Sequence, residues 1–152
     1  MDEFDRKILN LMQRDCTLRA EFIADQIGLS ASAVQRRIRN LRHEQIITAE
    51  VAVVDAERLG PTMTFIAGLE IARELPDAVG SLRAWAKECE NIQQLYYVTG
   101  SVDLIAVIKA RDVVAYDALA TRLMAENPQI RRINTNVVLD PVKTGLVVPT
   151  GA

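Results

Sequence analysis

Three consecutive residues, Gly28-Leu29-Ser30, constrain this chain more tightly than any other short stretch. Before them, Phe22, Ile23 and Ile27 recur at helical spacing. Gly28 supplies a left-handed stop for that helix, and Leu29 turns back toward the core. Ser30 is a good N-cap, because its hydroxyl can accept from amides two or three residues further on. A short helix, a glycine turn and a second helix therefore follow one another almost without spacing. Phe4, Ile8, Leu11 and Met12 predict an earlier helix from Glu3 to Gln13. The helix after Ser30 is predicted from Ala31 to Glu44.

That last helix divides into two faces. Val34, Ile38 and Leu41 lie within roughly 60° of one another on a wheel and form the stripe to be buried. Ser32, Gln35, Arg36, Arg39, Asn40 and His43 occupy the opposite side, with Arg37 and Arg42 on the flanks. The chain as a whole is slightly acidic, with 18 Lys+Arg against 20 Asp+Glu. Yet Ser30 to His43 carries four arginines and no acid, and the acids before it sit at Asp2, Glu3, Asp5, Asp15, Glu21 and Asp25. Local positive charge on an acidic chain points to an oriented anion-binding face. An ordinary solvated helix face would intersperse Glu to pair at i,i+4. Arg forks to guanine or phosphate and Gln pairs with adenine, so a major groove is the expected occupant. Residues 46–55, IITAEVAVVD, read as a β segment that would form the wing of a winged helix.

The composition is that of a soluble globular chain: 49% hydrophobic and 25% charged. No apolar run approaches the ~20 residues a bilayer requires, and MDEFDRK lacks a signal-peptide core, so the expectation is a cytoplasmic protein without a membrane partner. Cys16 and Cys89 lack metal-type spacing and read as reduced thiols. Neither a metal nor a cofactor is expected.

Residues 54–61, VDAERLGP, read as a hinge. Strands are predicted at Met63–Ile71, Ile92–Val98, Leu104–Ala110 and Ile133–Asp140. Helices are predicted from Pro76 to Glu88, with proline at the favourable first position, and from Val113 to Asn127. The order β-α-β-β-α-β is that of a ferredoxin-like sandwich. TGSVD, residues 99–103, joins the second and third strands, and Gly100 permits a tight turn there. The fold class is thus α+β. A winged helix-turn-helix covers residues 1–54, a hinge 55–61, and a ferredoxin-like domain 62–152. Two helices on one sheet face leave the other bare, and a second copy related by a two-fold axis is its natural cover. A homodimer also lets two recognition helices reach half-sites ~34 Å apart.

Two sets of stretches resemble one family. DEFDRKILNLMQRD, IADQIGLSASAVQRRIRNLRHEQII and VVDAERLG are similar to the first half of the Lrp/AsnC transcription factors, with Asp2, Asp5, Ile8, Leu9, Gly28, Leu29, Ser30, Ser32, Arg36, Arg37 and Leu41 matching. Arg19 stands where the family commonly has a small hydroxyl N-cap, and His43 where an acid is usual. YYVTGSVDLIAVIKARD and INTNVVLDPVK resemble the family's effector-binding, oligomerising domain. The resemblance implies double-stranded DNA as a partner, contacted by Ser30, Ser32, Gln35, Arg36, Arg37, Arg39, Asn40, Arg42 and His43. It also implies a free amino acid bound between dimers, near Val98, Thr99, Gly100, Ser101, Val102, Asp103 and Thr135, and assembly of dimers into an octamer. In that reading Asp103 holds the α-ammonium and the turn amides receive the α-carboxylate. On residue chemistry alone, TGSVD reads first as a plain hairpin turn stabilised by Asp103, and it is the resemblance that favours the effector site.

The single histidine, His43, lies on the expected DNA face, and neither a Walker A nor a G-x-G-x-x-G motif is present. No catalytic constellation is expected. Two rivals stay open: a chromosome-organising protein with little sequence discrimination, and a tetrapyrrole decarboxylase-like enzyme on the same fold. The latter would need histidines that the second half lacks.

Overall fold

The computed structural model describes residues 1–72 and 77–151. Its contacts divide them into two compact units. Met1–Val53 groups with the residues from Lys143 onward, and Val54–Val142 forms the other.

The first unit holds α1 (Glu3–Met12), α2 (Ala20–Ile27) and α3 (Ala31–His43). Asp2 caps α1 in a reciprocal box: its carboxylate accepts the Asp5 N–H at 3.0 Å, and that of Asp5 accepts the Asp2 N–H at 2.8 Å. Arg19, at the N-cap of α2, makes no side-chain cap bond. Gly28 takes φ 73°, and the Leu29 N–H returns to the Ala24 carbonyl at 3.1 Å. The Ser30 hydroxyl accepts the Ala33 N–H at 3.3 Å. The helix that follows stops at His43, one residue short of expectation, because Gln45 enters the left-handed region at φ 56° and the Ile46 N–H bonds the Leu41 carbonyl at 2.9 Å. Val34, Ile38 and Leu41 are buried as the periodicity requires, against Ile8, Met12, Ile23 and Ala24.

The wing is not formed. Residues 48–55 carry no strand, and Val51 and Val53 are 68% and 95% exposed. A wing needs a second strand to take up its backbone groups, and the elements of this unit are all helical. The expected hinge contains a single turn, α4 (Ala56–Leu59), beside an Arg58–Asp55 ion pair of 3.1 Å.

The second unit follows the predicted order: β1 (Met63–Ile71), α5 (Ala78–Glu88), β2 (Ile92–Tyr97), β3 (Leu104–Ala110), α6 (Val113–Glu126) and β4 (Ile130–Val137). The strands are antiparallel in the order β2-β3-β1-β4. The expectation that Pro76 opens α5 lies outside the described residues. β4 begins three residues earlier than predicted, because Ile130 is buried and pairs with Ile71. Phe65, Ala67, Leu69, Leu104, Ala106 and Ile108 alternate onto the helix-covered face, where the Phe65 ring stacks on Tyr116 of α6 with centroids 4.0 Å apart. Ile66, Ile105, Val107 and Tyr96 fall on the opposite face by register, where Ile66 and Tyr96 are exposed.

The residues from Lys143 onward depart from the sequence division, which placed them with the sheet. They lie against α1 instead, held by side chains that α1 and its C-cap residue Gln13 present at helical spacing. Among the described residues no helix is long and apolar enough to cross a membrane.

Candidate nucleic-acid interface and effector loop

Positive charge on α3 is sorted by what each arginine meets. Ser32, Gln35, Arg36, Arg39, Asn40 and His43 are exposed on the side away from Val34, Ile38 and Leu41. The Ser30 hydroxyl lies 3.2 Å from that of Ser32, so both mark the leading end of this face. At a helix start the amides and the dipole also favour an anion.

Arg37, predicted to join this face, is turned the other way. Its Nη1 contacts Asp5 at 2.8 Å and Asp2 at 2.9 Å on α1. Its guanidinium lies 5.6 Å from the centre of the Phe4 ring. The hydrogen bond to Asp5, with lesser help from Asp2, raises the arginine pKa above its ordinary value. The cause is helical phase: Arg37 sits on the flank that α1 covers. Two of the acids that precede this helix in the sequence are therefore its partners. Arg42 remains exposed but pairs with Glu50 at 2.7 Å. An exposed pair of this kind is worth little, so Arg42 is exchangeable toward phosphate in a way that Arg37 is not.

The loop from Val98 to Asp103 is longer than the tight turn expected. It is closed by the Val98 N–H bonding the Asp103 carbonyl at 2.9 Å. Thr99, Gly100 and Ser101 are exposed at its crest. Gly100 takes φ 128°, so a side chain there is strained by backbone conformation although space is open around it. Val102 folds inward, its Cγ1 so near Gly68 that an added Cβ at that glycine would sit 2.9 Å away.

Asp103 is 8% exposed, and its Oδ2 accepts the Ile71 N–H at 2.9 Å. The β1–β3 register runs to Leu69 and Leu104, and the Asp103 amide still bonds the Leu69 carbonyl at 2.9 Å. Beyond that point the carboxylate replaces the strand as acceptor. The Oδ2 oxygen is thus engaged by the β1 backbone, a partner that neither the ammonium role nor the turn role anticipated.

Thr135 lies on β4 opposite Ala67, itself opposite Ala106. Its hydroxyl is 2.5 Å from the phenol of Tyr116. Tyr116 is a site neighbour that the sequence did not single out, since it reads there as one more core position of an amphipathic helix. Burial raises its pKa; Asp117 adds to the rise and the Thr135 hydrogen bond opposes it.

Comparisons with known proteins agree with this geometry. Residues 1–42 match the AsnC-type helix-turn-helix domain and residues 64–148 the Lrp/AsnC ligand binding domain. The chain is 34% identical to an uncharacterized HTH-type transcriptional regulator of Sinorhizobium fredii over 98% of this chain and 88% of that one. It is 29% identical to the transcriptional regulator AzlB of Bacillus subtilis over 98% and 95%. An AsnC family regulator from Agrobacterium tumefaciens superposes with a TM-score of 0.90 at 27% identity, covering 98% and 97%. A transcriptional regulator of Neisseria meningitidis, solved in complex with L-Met, has the same fold with a TM-score of 0.91 at 20% identity, covering 99% and 97%. With an outward basic helix on a glycine-hinged pair in the first unit and a ferredoxin-like sheet in the second, both halves matched in order, the chain belongs to the Lrp/AsnC family of transcriptional regulators.

Proposed function

We propose that the chain is a sequence-specific regulator, not an enzyme, whose DNA affinity or oligomeric state responds to a free amino acid in the cytoplasm. The observation that carries the DNA half is the exposed row Ser32, Gln35, Arg36, Arg39 and Asn40 on a helix whose other side is buried. Arg36 and Arg39 are the base-edge or phosphate contacts, and Gln35 and Asn40 the amides that read adenine. Arg42 and His43 reach phosphate, while Arg37 positions α3 on α1.

Two copies join through the sheet face carrying Ile66, Tyr96, Ile105 and Val107, so that paired recognition helices read a partly palindromic site. Dimers assemble further, to an octamer, and the amino acid binds between them at the Thr99–Ser101 crest. A ligand acts there by preferring one arrangement over another. The relative solved with L-Met supports an amino acid as the ligand class. Asp103 supports the base of the crest through the Val98 and Ile71 amides.

A gel-shift series tests this reading. Arg36→Ala and Arg39→Ala each weaken operator binding by about 1–3 kcal/mol. The parent prefers operator to random DNA, whereas equal affinity for both would favour the chromosome-organising reading. Unchanged operator binding by both variants would sink the interface. For the ligand, a thermal-shift screen of the twenty amino acids finds the effector, which at 100 times its Kd adds ~2.7 kcal/mol of apparent stability.

A further inference from the structure

We propose that α1 and its C-cap residue present a docking stripe, Arg6–Asn10–Gln13, for an extended chain segment, and that its occupant, residues 143–151, is a releasable latch on the DNA-binding unit. This goes beyond the functional reading and does not depend on the identity of DNA site or effector.

The contacts are specific. The Gln13 side-chain amide pairs with one peptide unit in both directions: its Nε2 donates to the Val148 carbonyl at 3.0 Å, and its Oε1 accepts the Val148 N–H at 2.6 Å. The Thr150 hydroxyl reaches the Asn10 Oδ1 at 2.8 Å, and the Arg6 guanidinium donates to the Thr150 carbonyl. Arg6, Asn10 and Gln13 stand at i, i+4 and i+7, one stripe of the helix. The spacing also fits. Seven helical residues rise roughly 10 Å, and three extended residues span about the same. Val148 to Gly151 therefore tracks Gln13 back to Arg6, where an added Cβ on Gly151 would lie 3.7 Å from the Arg6 Nη1. A random surface contact would not match register at both ends.

Release follows from what the segment does not bury. Leu146, Val147 and Val148 are 76%, 55% and 64% exposed. The hydrogen bonds of the seat are exposed at Val148 and only partly buried at Thr150, each modest in water, set against the ordering of the whole segment. Position gives the latch its importance. The chain passes between the two units at Val53–Val54 and again at Val142–Lys143, so the seated segment belongs to the unit in which the chain began. The helix it seats on, α1, also holds Arg37 of the recognition helix through Asp2 and Asp5.

Hydrogen exchange on the full-length chain, resolved to single amides, tests the latch. In the parent the Val148 N–H exchanges several-fold more slowly than the free-peptide rate. Gln13→Ala brings it to that rate. Gln13→Glu keeps the Oε1 acceptor and retains part of the protection. Arg14→Ala, an exposed neighbour off the stripe, leaves it unchanged. Equal Val148 exchange in the parent, Gln13→Ala and Arg14→Ala chains, whether fast or slow, overturns the proposal. Because the readout is exchange and not DNA binding, a failed latch and a failed DNA interface are told apart.

Discussion

Arg36 and Arg37 are adjacent in the chain and opposite in use. Arg36 is exposed on the outer face, whereas the Arg37 guanidinium is held between Asp2 and Asp5 with its Nε buried and without a hydrogen-bond partner among the described residues. Removing a partly buried charged donor leaves its acceptors stranded, a larger penalty than losing a surface pair. Arg37→Ala therefore lowers the stability of the first unit by about 1–2 kcal/mol, after discounting the half-exposed Asp2 contact for solvent screening. Arg36→Ala stays within about 0.5 kcal/mol. Chemical denaturation of both variants checks the difference, and equal stability would dissolve the distinction. The Asp2 carboxyl is held below its ordinary 3.8, first by the Asp5 amide and then by Arg37. Its folded-state pKa is depressed, so its contribution is present above pH ~4 and is lost as pH falls through the folded value.

At the scale of elements, the β2–β3 loop and its supports decide how the second unit should be probed. Asp103→Ala leaves the buried Ile71 N–H without its carboxylate acceptor. The cost is about 1–3 kcal/mol whether or not an amino acid is present. Asp103→Asn keeps an oxygen at that position and loses less. A thermal melt of the two variants separates this structural role from ligand contact. Tyr116→Phe keeps the stack on Phe65 and deletes the bond to Thr135. The folded pKa of Tyr116 is raised above 10.0, so the folded chain keeps a proton that the unfolded chain gives up. Stability is full below pH 10 and falls as pH climbs toward the folded value. Alkaline melts of the parent show this decline, and those of Tyr116→Phe lack it.

Most elements were legible because local rules and tertiary packing agree on them. Gly28 and Ser30 mark the α2–α3 turn, and Val34, Ile38 and Leu41 mark the buried side of α3. Alternation assigns Phe65, Ala67 and Leu69 to one sheet face. What was not legible depended on partners distant in sequence. Nothing near Arg37 announces Asp2 and Asp5, and nothing near Asp103 announces the Ile71 amide. The apolar run after α3 reads as a strand by composition, but strand structure needs a neighbour, and residues 48–55 lack one in this unit. Likewise the β-rich sequence of Leu146 to Val148 gives no hint of its seat on α1.

For the whole molecule, the bare side of the sheet carries the heaviest consequence. Ile66 sits there at 38% exposure, between Val107 on one neighbouring strand and Asn136 on the other. An arginine at this point places charge at the centre of the proposed dimer contact. Ile66→Arg therefore weakens self-association at least about tenfold, ~1.4 kcal/mol, while the melt of each unit stays cooperative. Light scattering across a dilution series checks this, and unchanged mass at every concentration would move the dimer contact elsewhere. DNA affinity in the parent also falls steeply with salt, in proportion to the phosphates neutralised.

Because residues 143–151 rejoin the unit that begins at Met1, the sheet-bearing unit is an insertion, entered at Val54 and left at Val142. A fluorophore attached at Gly151 would sit beside Arg6 and report on the helix-turn-helix, not on the sheet-bearing unit that immediately precedes it in the chain.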